Sequence, residues 1–319
     1  MTRAAIKPRK TARGWVLPAP AKLNFYLQVH GRRDDGFHEL TTLIAPLRLC
    51  DTIVVSATDV ATAEIKLRVT PALAPRGDAS PEHSPVPSDE RNLIVRALRR
   101  LREAAGVTRG ATVTLIKRIP SLAGMGGGSS DAAAALRAGE AAWGVSLGQR
   151  KLHELASEIG SDVPVLLSGE PSVCRGRGEK IEPVHLPAGI PCVVVQPPAA
   201  LGAGQVYQSL DVTSLPRCSP EGLSELVFAL RGGELAAAGR LMLNHLQSPA
   251  ERLAPAVAAV AQAFTRAGVL AHQMTGSGAA YFGLCQSLRQ ARCVAAKLRQ
   301  QGLGWVNVTT TMGSSASYS

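Results

Sequence analysis

The residues with the clearest chemical potential form a glycine-rich loop. Residues 120–131 read Pro-Ser-Leu-Ala-Gly-Met-Gly-Gly-Gly-Ser-Ser-Asp, directly before an alanine run. Glycine has no Cβ to block the approach of a phosphate to backbone N–H groups. A helix beginning at Ser129-Ser130-Asp131 would add the positive end of its dipole. The spacing matches neither a Walker A loop nor a dinucleotide-binding fingerprint. It predicts an anion-binding loop, and the alternative is a flexible surface turn.

Three further features gain chemical meaning only beside that loop. Lys22 interrupts an apolar strand pattern, Asp162 follows Gly160-Ser161, and Gly276-Ser277-Gly278 is a second glycine turn. Alone, Lys22 is typical of a strand surface and Asp162 of a turn or helix cap. In phosphoryl transfer, an aspartate can accept the proton of the attacking hydroxyl, and a lysine can offset charge on the transferring group. Lys22 and Asp162 are therefore candidates for those two roles.

Strands and helices alternate around these residues. Apolar periodicity predicts strands over 21–30, 42–49, 52–57, 64–69, 111–119, 191–196, 281–285 and 305–311, and helices over 92–105, 148–159, 220–230, 234–246, 255–267 and 287–301. Residues 71–89 hold five prolines and predict a solvent-exposed loop, and residues 1–16 predict a disordered basic extension. We expect an α+β protein with two domains, 17–190 and 191–319.

Composition limits the class of protein. The chain has 319 residues, 45% of them hydrophobic and 18% charged, which excludes wholesale disorder and suits about two domains. Its apolar runs are too short for a transmembrane helix. The net charge of +11 suits anionic ligands as well as nucleic acid. The six cysteines form no CxxC pair and no zinc spacing occurs, which is typical of reduced cysteines in a cytoplasmic protein.

Several segments resemble those of a known family. Residues 18–24 (Pro-Ala-Pro-Ala-Lys-Leu-Asn), 124–134 and 274–278 resemble the three motifs of the GHMP small-molecule kinases, and the likeness extends from about Val16 over nearly the whole chain. Within that superfamily, residues 31–40 (Gly-Arg-Arg-Asp-Asp-Gly-Phe-His-Glu-Leu) and 159–164 are similar to segments of the 4-diphosphocytidyl-2-C-methyl-D-erythritol kinases. The resemblance implies a ribosomal-S5-domain-2-like N-terminal domain and an α/β-plait-like C-terminal domain.

The resemblance also implies an activity. It is ATP-dependent phosphorylation, with Mg²⁺, of the 2-hydroxyl of the methylerythritol moiety in the non-mevalonate isoprenoid pathway. Asp162 would accept the hydroxyl proton, while Lys22 would orient Asp162 and polarise the hydroxyl. The residues implied to bind ATP are Pro120, Ser121, Leu122, Ala123, Gly124, Met125, Gly126, Gly127, Gly128, Ser129 and Ser130 around the phosphates, and Asn92, Leu93 and Lys117 near the adenine.

A cytidine-bearing substrate follows from the same resemblance. Phe37 and Tyr207 would sandwich the cytosine, and His38 would hydrogen-bond its polar edge. Phe37 stands where the family commonly has tyrosine, so a stacking face remains but the phenolic hydroxyl is lost. The segment 198–204 lacks the Ser or Thr that the family would supply there. The remaining implied substrate-binding residues are Asn24, Gly276 and Ser277.

Three other functions stay open at this point. Residues 31–40 argue against a GHMP kinase of the homoserine or mevalonate type. A GHMP-fold decarboxylase would place its aspartate in a different sequence context. A basic nucleic-acid-binding protein would be expected to interleave aromatic and basic residues, which this chain lacks. We therefore expect a small-molecule substrate, no nucleic-acid or membrane partner, and a cytoplasmic monomer or homodimer. The metal ligands are left unassigned.

Overall fold

The structure is a computed structural model that describes residues 7–59, 64–71, 86–215, 218–219 and 221–314. The strands are β1 (Arg9–Thr11), β2 (Gly14–Arg32), β3 (His38–Ala57), β4 (Ile65–Pro71), β5 (Ala111–Lys117), β6 (Ser172–Gly176), β7 (Lys180–Pro183), β8 (Pro191–Gln196), β9 (Leu243–Asn244), β10 (Ala271–Met274), β11 (Tyr281–Leu284) and β12 (Trp305–Thr310). The helices are α1 (Leu93–Ala104), α2 (Gly127–Trp143), α3 (Gly148–Ile159), α4 (Val163–Ser168), α5 (Ala203–Gln208), α6 (Gly222–Arg231), α7 (Leu235–Leu241), α8 (Gln247–Leu253), α9 (Pro255–Ala267) and α10 (Leu288–Gln300). The predicted α+β class is confirmed.

Two sheets organise the chain. The larger follows the order β1-β2-β3-β5-β4, with β6 and β7 extending from β3 and β9 pairing in parallel with β2. The smaller sheet has the order β10-β11-β8-β12. Strands β2 and β3 form a long antiparallel hairpin whose pairing runs from Trp15 opposite Val55 to Arg32 opposite His38. No helix in the described ranges is long and apolar enough to cross a bilayer.

A buried aromatic contact joins the two sheets. Phe25 on β2 and Phe282 on β11 pack edge to face, with ring centroids 5.6 Å apart. Both side chains are fully buried, and burying a phenylalanine contributes about 1.5–3 kcal/mol to stability. The contact holds β2, which carries Lys22, against the second sheet.

The predicted disorder of residues 1–16 is wrong for its second part. β1 pairs with β2, from Arg9 opposite Val16 to Thr11 opposite Gly14. The hydroxyl of Thr11 donates to the carbonyl of Gly14 at 2.8 Å and closes the turn. A charged strand is stable at the edge of a sheet, where its side chains stay in water. Residues 1–6 lie outside the described part of the chain.

β3, α7 and β4 also differ from prediction, and shifts of one or two residues occur at the ends of α1, β5, α6, β11, α10 and β12. The two strands expected at 42–49 and 52–57 are the single strand β3. The buried Asp51 between them accepts the N–H of Ile119, in the segment after β5, so the strand is not interrupted. The helix expected at 234–246 ends at Leu241, and β9 follows. Pro71 closes β4 instead of opening the proline-rich loop, of which residues 72–85 lie outside the described ranges.

The predicted domain boundary before Pro191 stays a prediction. β8 does begin there and belongs to the second sheet. However, β9 comes from the second half of the chain and pairs with β2 of the first sheet. The chain therefore crosses back over that boundary.

Candidate active site

A cavity of about 750 Å³ collects residues from both halves of the chain. The predicted site residues that line it are Lys22, Asn24, Phe37, His38, Gly124, Gly126, Ser129, Asp162, Tyr207, Gly276 and Ser277. The predicted residues that do not line it are Asn92, Leu93, Lys117, Pro120, Ser121, Leu122, Ala123, Met125, Gly127, Gly128 and Ser130. The fold thus brings together the predicted catalytic and substrate residues, whereas most of the predicted nucleotide residues lie beside the cavity.

Lys22 and Asp162 meet in this cavity from different elements. Lys22 lies beside an irregularity in the pairing of β2 with β3, and Asp162 directly precedes α4. The Lys22 Nζ is 3.9 Å from the Asp162 Oδ2. The Lys22 side chain is 4% exposed and that of Asp162 is 40% exposed. Burial lowers the pKa of Lys22, and the Asp162 carboxylate partly opposes that effect. A buried cation therefore faces a carboxylate that is open to a ligand.

Asn24 holds the Lys22 ammonium. Its Oδ1 accepts from Lys22 Nζ at 2.6 Å and from the Thr275 hydroxyl at 3.2 Å, while its Nδ2 donates to the Thr42 hydroxyl at 2.8 Å. The residue is 3% exposed. The Oδ1 atom thus accepts two hydrogen bonds from the protein, whereas Nδ2 uses one of its two N–H donors, and Asn24 lines the cavity.

The two glycine turns are in direct contact at the wall of the cavity. A Cβ on Gly276 would lie 2.7 Å from the Gly124 carbonyl oxygen and 3.1 Å from Lys22 Nζ, and its φ of +57° favours glycine. The Ala280 N–H donates to the Ala123 carbonyl at 3.1 Å. The buried Asn244 Nδ2 donates to the carbonyls of Met274 and Gly276, at 2.8 and 2.9 Å. Glycine is needed here so that two backbones can approach.

Helix α2 begins at Gly127, two residues earlier than Ser129, the predicted start. Gly126 precedes it with φ +67°, and no side chain caps the helix. Its first-turn N–H groups therefore remain available for an anion, and Gly126 and Ser129 line the cavity. The Lys22 N–H donates to the Met125 carbonyl at 3.0 Å, which ties the loop to β2.

Lys117 is buried beneath this helix in a cluster with two carboxylates. Its ammonium pairs with Asp51, and with Asp131 at 3.0 Å. Asp51 also accepts the backbone N–H groups of Arg118 and Ile119. Burial alone would lower the pKa of Lys117, but its contacts with Asp131 and Asp51 raise it, and burial raises the pKa of Asp131 to about 8. The ammonium is already paired and the residue is 4% exposed, and its predicted contact with adenine stays a prediction.

Asn92 and Leu93 mark the start of α1. The Asn92 Oδ1 accepts from the Ile94 N–H at 2.9 Å, and its Nδ2 donates to the Pro87 carbonyl at 2.7 Å. These bonds are those of a helix N-cap. The predicted contact of both residues with adenine stays a prediction.

The aromatic end of the cavity differs from the expected sandwich. His38 stacks on Tyr207, with centroids 5.0 Å apart and 28° between the planes. The Arg177 guanidinium lies over the Phe37 ring, 4.8 Å from its centroid. Burial, and then the charge of Arg32, lower the pKa of His38, which favours the neutral imidazole. One face of each predicted stacking ring is thus covered by a side chain of this protein.

Sequence reasoning missed several residues of the site. Thr275 and Asn244 act through hydrogen bonds to partners far along the chain, and no local pattern marks them. Arg32 and Arg177 line the cavity without having been predicted. Arg177 did carry a signal, because a cation between Gly176 and Gly178 is typical of a tight turn that presents one side chain.

Family models and curated relatives match most of the chain. Residues 92–170 match the GHMP kinases N terminal domain, and residues 226–303 match the GHMP kinases C terminal family. The chain is 38% identical over 300 residues to the 4-diphosphocytidyl-2-C-methyl-D-erythritol kinase of Rhodopirellula baltica, covering 88% of this chain and 89% of the relative. It is 39% identical over 283 residues to the kinase of the same name from Kineococcus radiotolerans, covering 88% and 84%.

Solved structures give the same picture. A crystal structure of 4-(cytidine 5'-diphospho)-2C-methyl-D-erythritol kinase has a TM-score of 0.77 and 34% identity, and the match covers 94% of this chain and all of that one. The homoserine kinase of Cytophaga hutchinsonii has a TM-score of 0.70 at 18% identity, covering 96% of each chain. At that identity the second likeness shows the fold alone.

Proposed function

Because the chain belongs to the family of 4-diphosphocytidyl-2-C-methyl-D-erythritol kinases, within the GHMP kinases, we propose that it phosphorylates the 2-hydroxyl of that substrate. It is an ATP-dependent small-molecule kinase. The observation that carries the proposed chemistry is the Lys22–Asp162 pair, 3.9 Å apart in a cavity bounded by two glycine turns.

The chemical step needs one proton removed and developing charge offset. Asp162 is the base, because its carboxylate is partly open to the cavity and can accept the proton of a hydroxyl. Lys22 stabilises the charge on the transferring group from a buried position, where an ammonium acts more strongly than in water. Asn24 holds the Lys22 ammonium, and its second Nδ2 N–H is proposed to bind the substrate.

ATP is the phosphoryl donor, and the start of α2 is the proposed seat of its phosphates. The uncapped N–H groups after Gly126 support this placement. Mg²⁺ is part of the proposal. Among the described residues no group of three or more His, Cys, Asp or Glu could hold a metal. Ser129, which lines the cavity, would supply a hydroxyl ligand to an ion that enters with the nucleotide phosphates. When bound, Mg²⁺ neutralises charge on those phosphates.

The opposite end of the cavity suits cytidine. Phe37 and Tyr207 offer aromatic faces, and the neutral imidazole of His38 has one donor and one acceptor for a pyrimidine edge. His38 covers one face of Tyr207, so a base that stacks on that face displaces the imidazole. The freed imidazole is then available to bind the edge of that base.

A substrate comparison tests the proposal. ADP release is measured with 4-diphosphocytidyl-methylerythritol, homoserine and mevalonate as acceptors. We expect kcat/KM for the cytidine-bearing acceptor to exceed the other two by orders of magnitude. Comparable rates with homoserine or mevalonate would overturn the assignment.

The remaining expectations are part of the proposal as well. They are a cytoplasmic monomer or homodimer that binds no nucleic acid. ADP or ATP should raise the melting temperature by mass action, and single-stranded RNA should leave it unchanged.

A further inference from the structure

Arg177 is a cavity residue that the proposed mechanism does not use. It lines the cavity together with Arg32, at the end occupied by Phe37 and His38. Neighbouring arginines are paired: Arg33 binds Glu39 at 2.7 Å, and Arg175 binds Glu182 at 2.7 Å. Within the described ranges no carboxylate lies within ion-pair distance of the Arg177 guanidinium. A half-buried cation without an anion of its own indicates a site for an anionic ligand.

The backbone around Arg177 is built to present this one side chain. Gly176 and Gly178 have φ of +77° and +113°, which only glycine adopts readily. The Glu179 carboxylate accepts the Arg177 N–H at 2.6 Å and locks the turn. A Cβ on Gly178 would lie 3.7 Å from the Ser161 carbonyl oxygen, so the turn packs beside the segment that carries Asp162.

The Phe37 ring provides a shelf for the guanidinium. The ring is 49% exposed, and the guanidinium carbon lies 4.8 Å from its centroid. A cation–π contact holds the guanidinium over the ring without using its N–H groups as hydrogen-bond donors to a side-chain oxygen. A planar fork held in this way suits two oxygens of a phosphate.

We propose that Arg177, stacked on Phe37, binds the diphosphate bridge of the substrate, an inference that rests on the proposed function. A diphosphate joins the base end of that substrate to its hydroxyl end. The hydroxyl belongs beside Asp162 and the base beside Tyr207, so the bridge must pass between them. Arg177 lies on the cavity wall beside Phe37, on a turn that packs against Ser161. The ATP phosphates have their own seat at α2, on a different element.

Cytidine 5'-diphosphate and cytidine are the probes, because they share the base and differ in the diphosphate. Their dissociation constants are measured by calorimetry for the wild type, Arg177→Ala and Arg177→Lys. Arg175→Ala is the matched control. Arg175 lies two residues before Arg177, carries the same charge, and forms an exposed ion pair with Glu182 outside the cavity. We expect Arg177→Ala to weaken the binding of cytidine 5'-diphosphate roughly 10-fold to 100-fold and the binding of cytidine less than about threefold. Arg177→Lys should restore part of the loss, and Arg175→Ala should match the wild type.

Kinetics supply a second readout. Arg177→Ala should raise the KM for the cytidine-bearing acceptor by a similar factor, and leave kcat and the KM for ATP nearly unchanged. An equal loss for the diphosphate and for cytidine would show that Arg177 acts only through Phe37, and would overturn the proposal. Unchanged diphosphate affinity in Arg177→Ala would overturn it too. A wild-type protein that binds neither probe would instead refute the proposed substrate, and the ligand of Arg177 with it.

Discussion

Replacement of Asp162 by asparagine tests the proposed base most directly, because asparagine keeps the shape of the side chain but cannot accept the hydroxyl proton. The change also removes a charge 3.9 Å from Lys22 Nζ. Coulomb's law gives about 4 kcal/mol for that pair at an effective dielectric of ~20, and about 1 kcal/mol in water. Since the Asp162 side chain is 40% exposed, solvent screening keeps the pair energy below the higher value. The pair thus adds little to ground-state stability, and the expected fall in kcat, roughly 100-fold or more, comes from the missing proton transfer.

Replacement of Lys22 by methionine completes the test. Methionine keeps the stem of a buried side chain and removes its charge, and the partly exposed Asp162 can be solvated by water. We expect kcat to fall roughly 100-fold and substrate affinity to change little. The double variant should be about as slow as the slower single variant, because residues that act as a unit are not additive.

The assay compares kcat, substrate Kd by calorimetry and melting temperature for the wild type, both single variants and the double variant. Lys66→Met, which removes a lysine from an exposed pair with Glu64, controls for the loss of one positive charge. If Asp162→Asn keeps near-wild-type kcat while remaining folded, the base is another group and the proposed mechanism is wrong.

Two further predictions concern α2. A Cβ on Gly127 would lie 3.0 Å from Lys117 Nζ and 3.1 Å from a side-chain carbon of Ile119, whereas a Cβ on Gly128 would meet no atom within 4 Å. Gly127→Val should therefore lower both the melting temperature and the affinity for ATP. Gly128→Val should keep the melting temperature but weaken ATP binding about tenfold or more, because the side chain would occupy the proposed phosphate site. An unchanged Kd for ATP in both variants would refute that phosphate site. Burial raises the pKa of Asp131 to about 8, far above its ordinary value, so the folded state holds a proton that the unfolded state has lost between about pH 4 and 8. Stability from this group is present at low pH and lost as the pH rises, by up to about 1.4 kcal/mol per pH unit, and Asp131→Asn should flatten the dependence in urea unfolding at pH 5 to 8; parallel curves would contradict it.

Local sequence patterns were sufficient to predict an element wherever the pattern lies within a single segment. The apolar runs of α3 and β8 place those elements at their predicted ends, because periodicity reports which face of a segment is buried. The glycine-rich loop can also be predicted from a single segment, because its glycines lie close together in the sequence. Lys22 and Asp162 were suggested by motif and by family resemblance, and the fold brings them to one cavity.

Contacts between distant segments decided the rest. β3 runs unbroken through Asp51 only because Lys117, Arg118 and Ile119 satisfy that carboxylate from β5 and the residues after it. The resemblance implies that Lys117 lies near the adenine, and only the structure shows that its ammonium is paired within the core. These outcomes depend on which polar groups come into contact after the sheet has formed. Once such groups are buried, they need hydrogen-bond partners.

The same distinction applies at the substrate end. An aromatic residue and a histidine, Phe37 and His38, can be read directly after the first predicted turn. That His38 covers Tyr207 and that Arg177 covers Phe37 follows from packing, because these partners come from elements far apart in the chain. Residue types and spacing can specify a strand, a turn or a phosphate loop, but which side chain faces which across a cavity is decided when those elements pack.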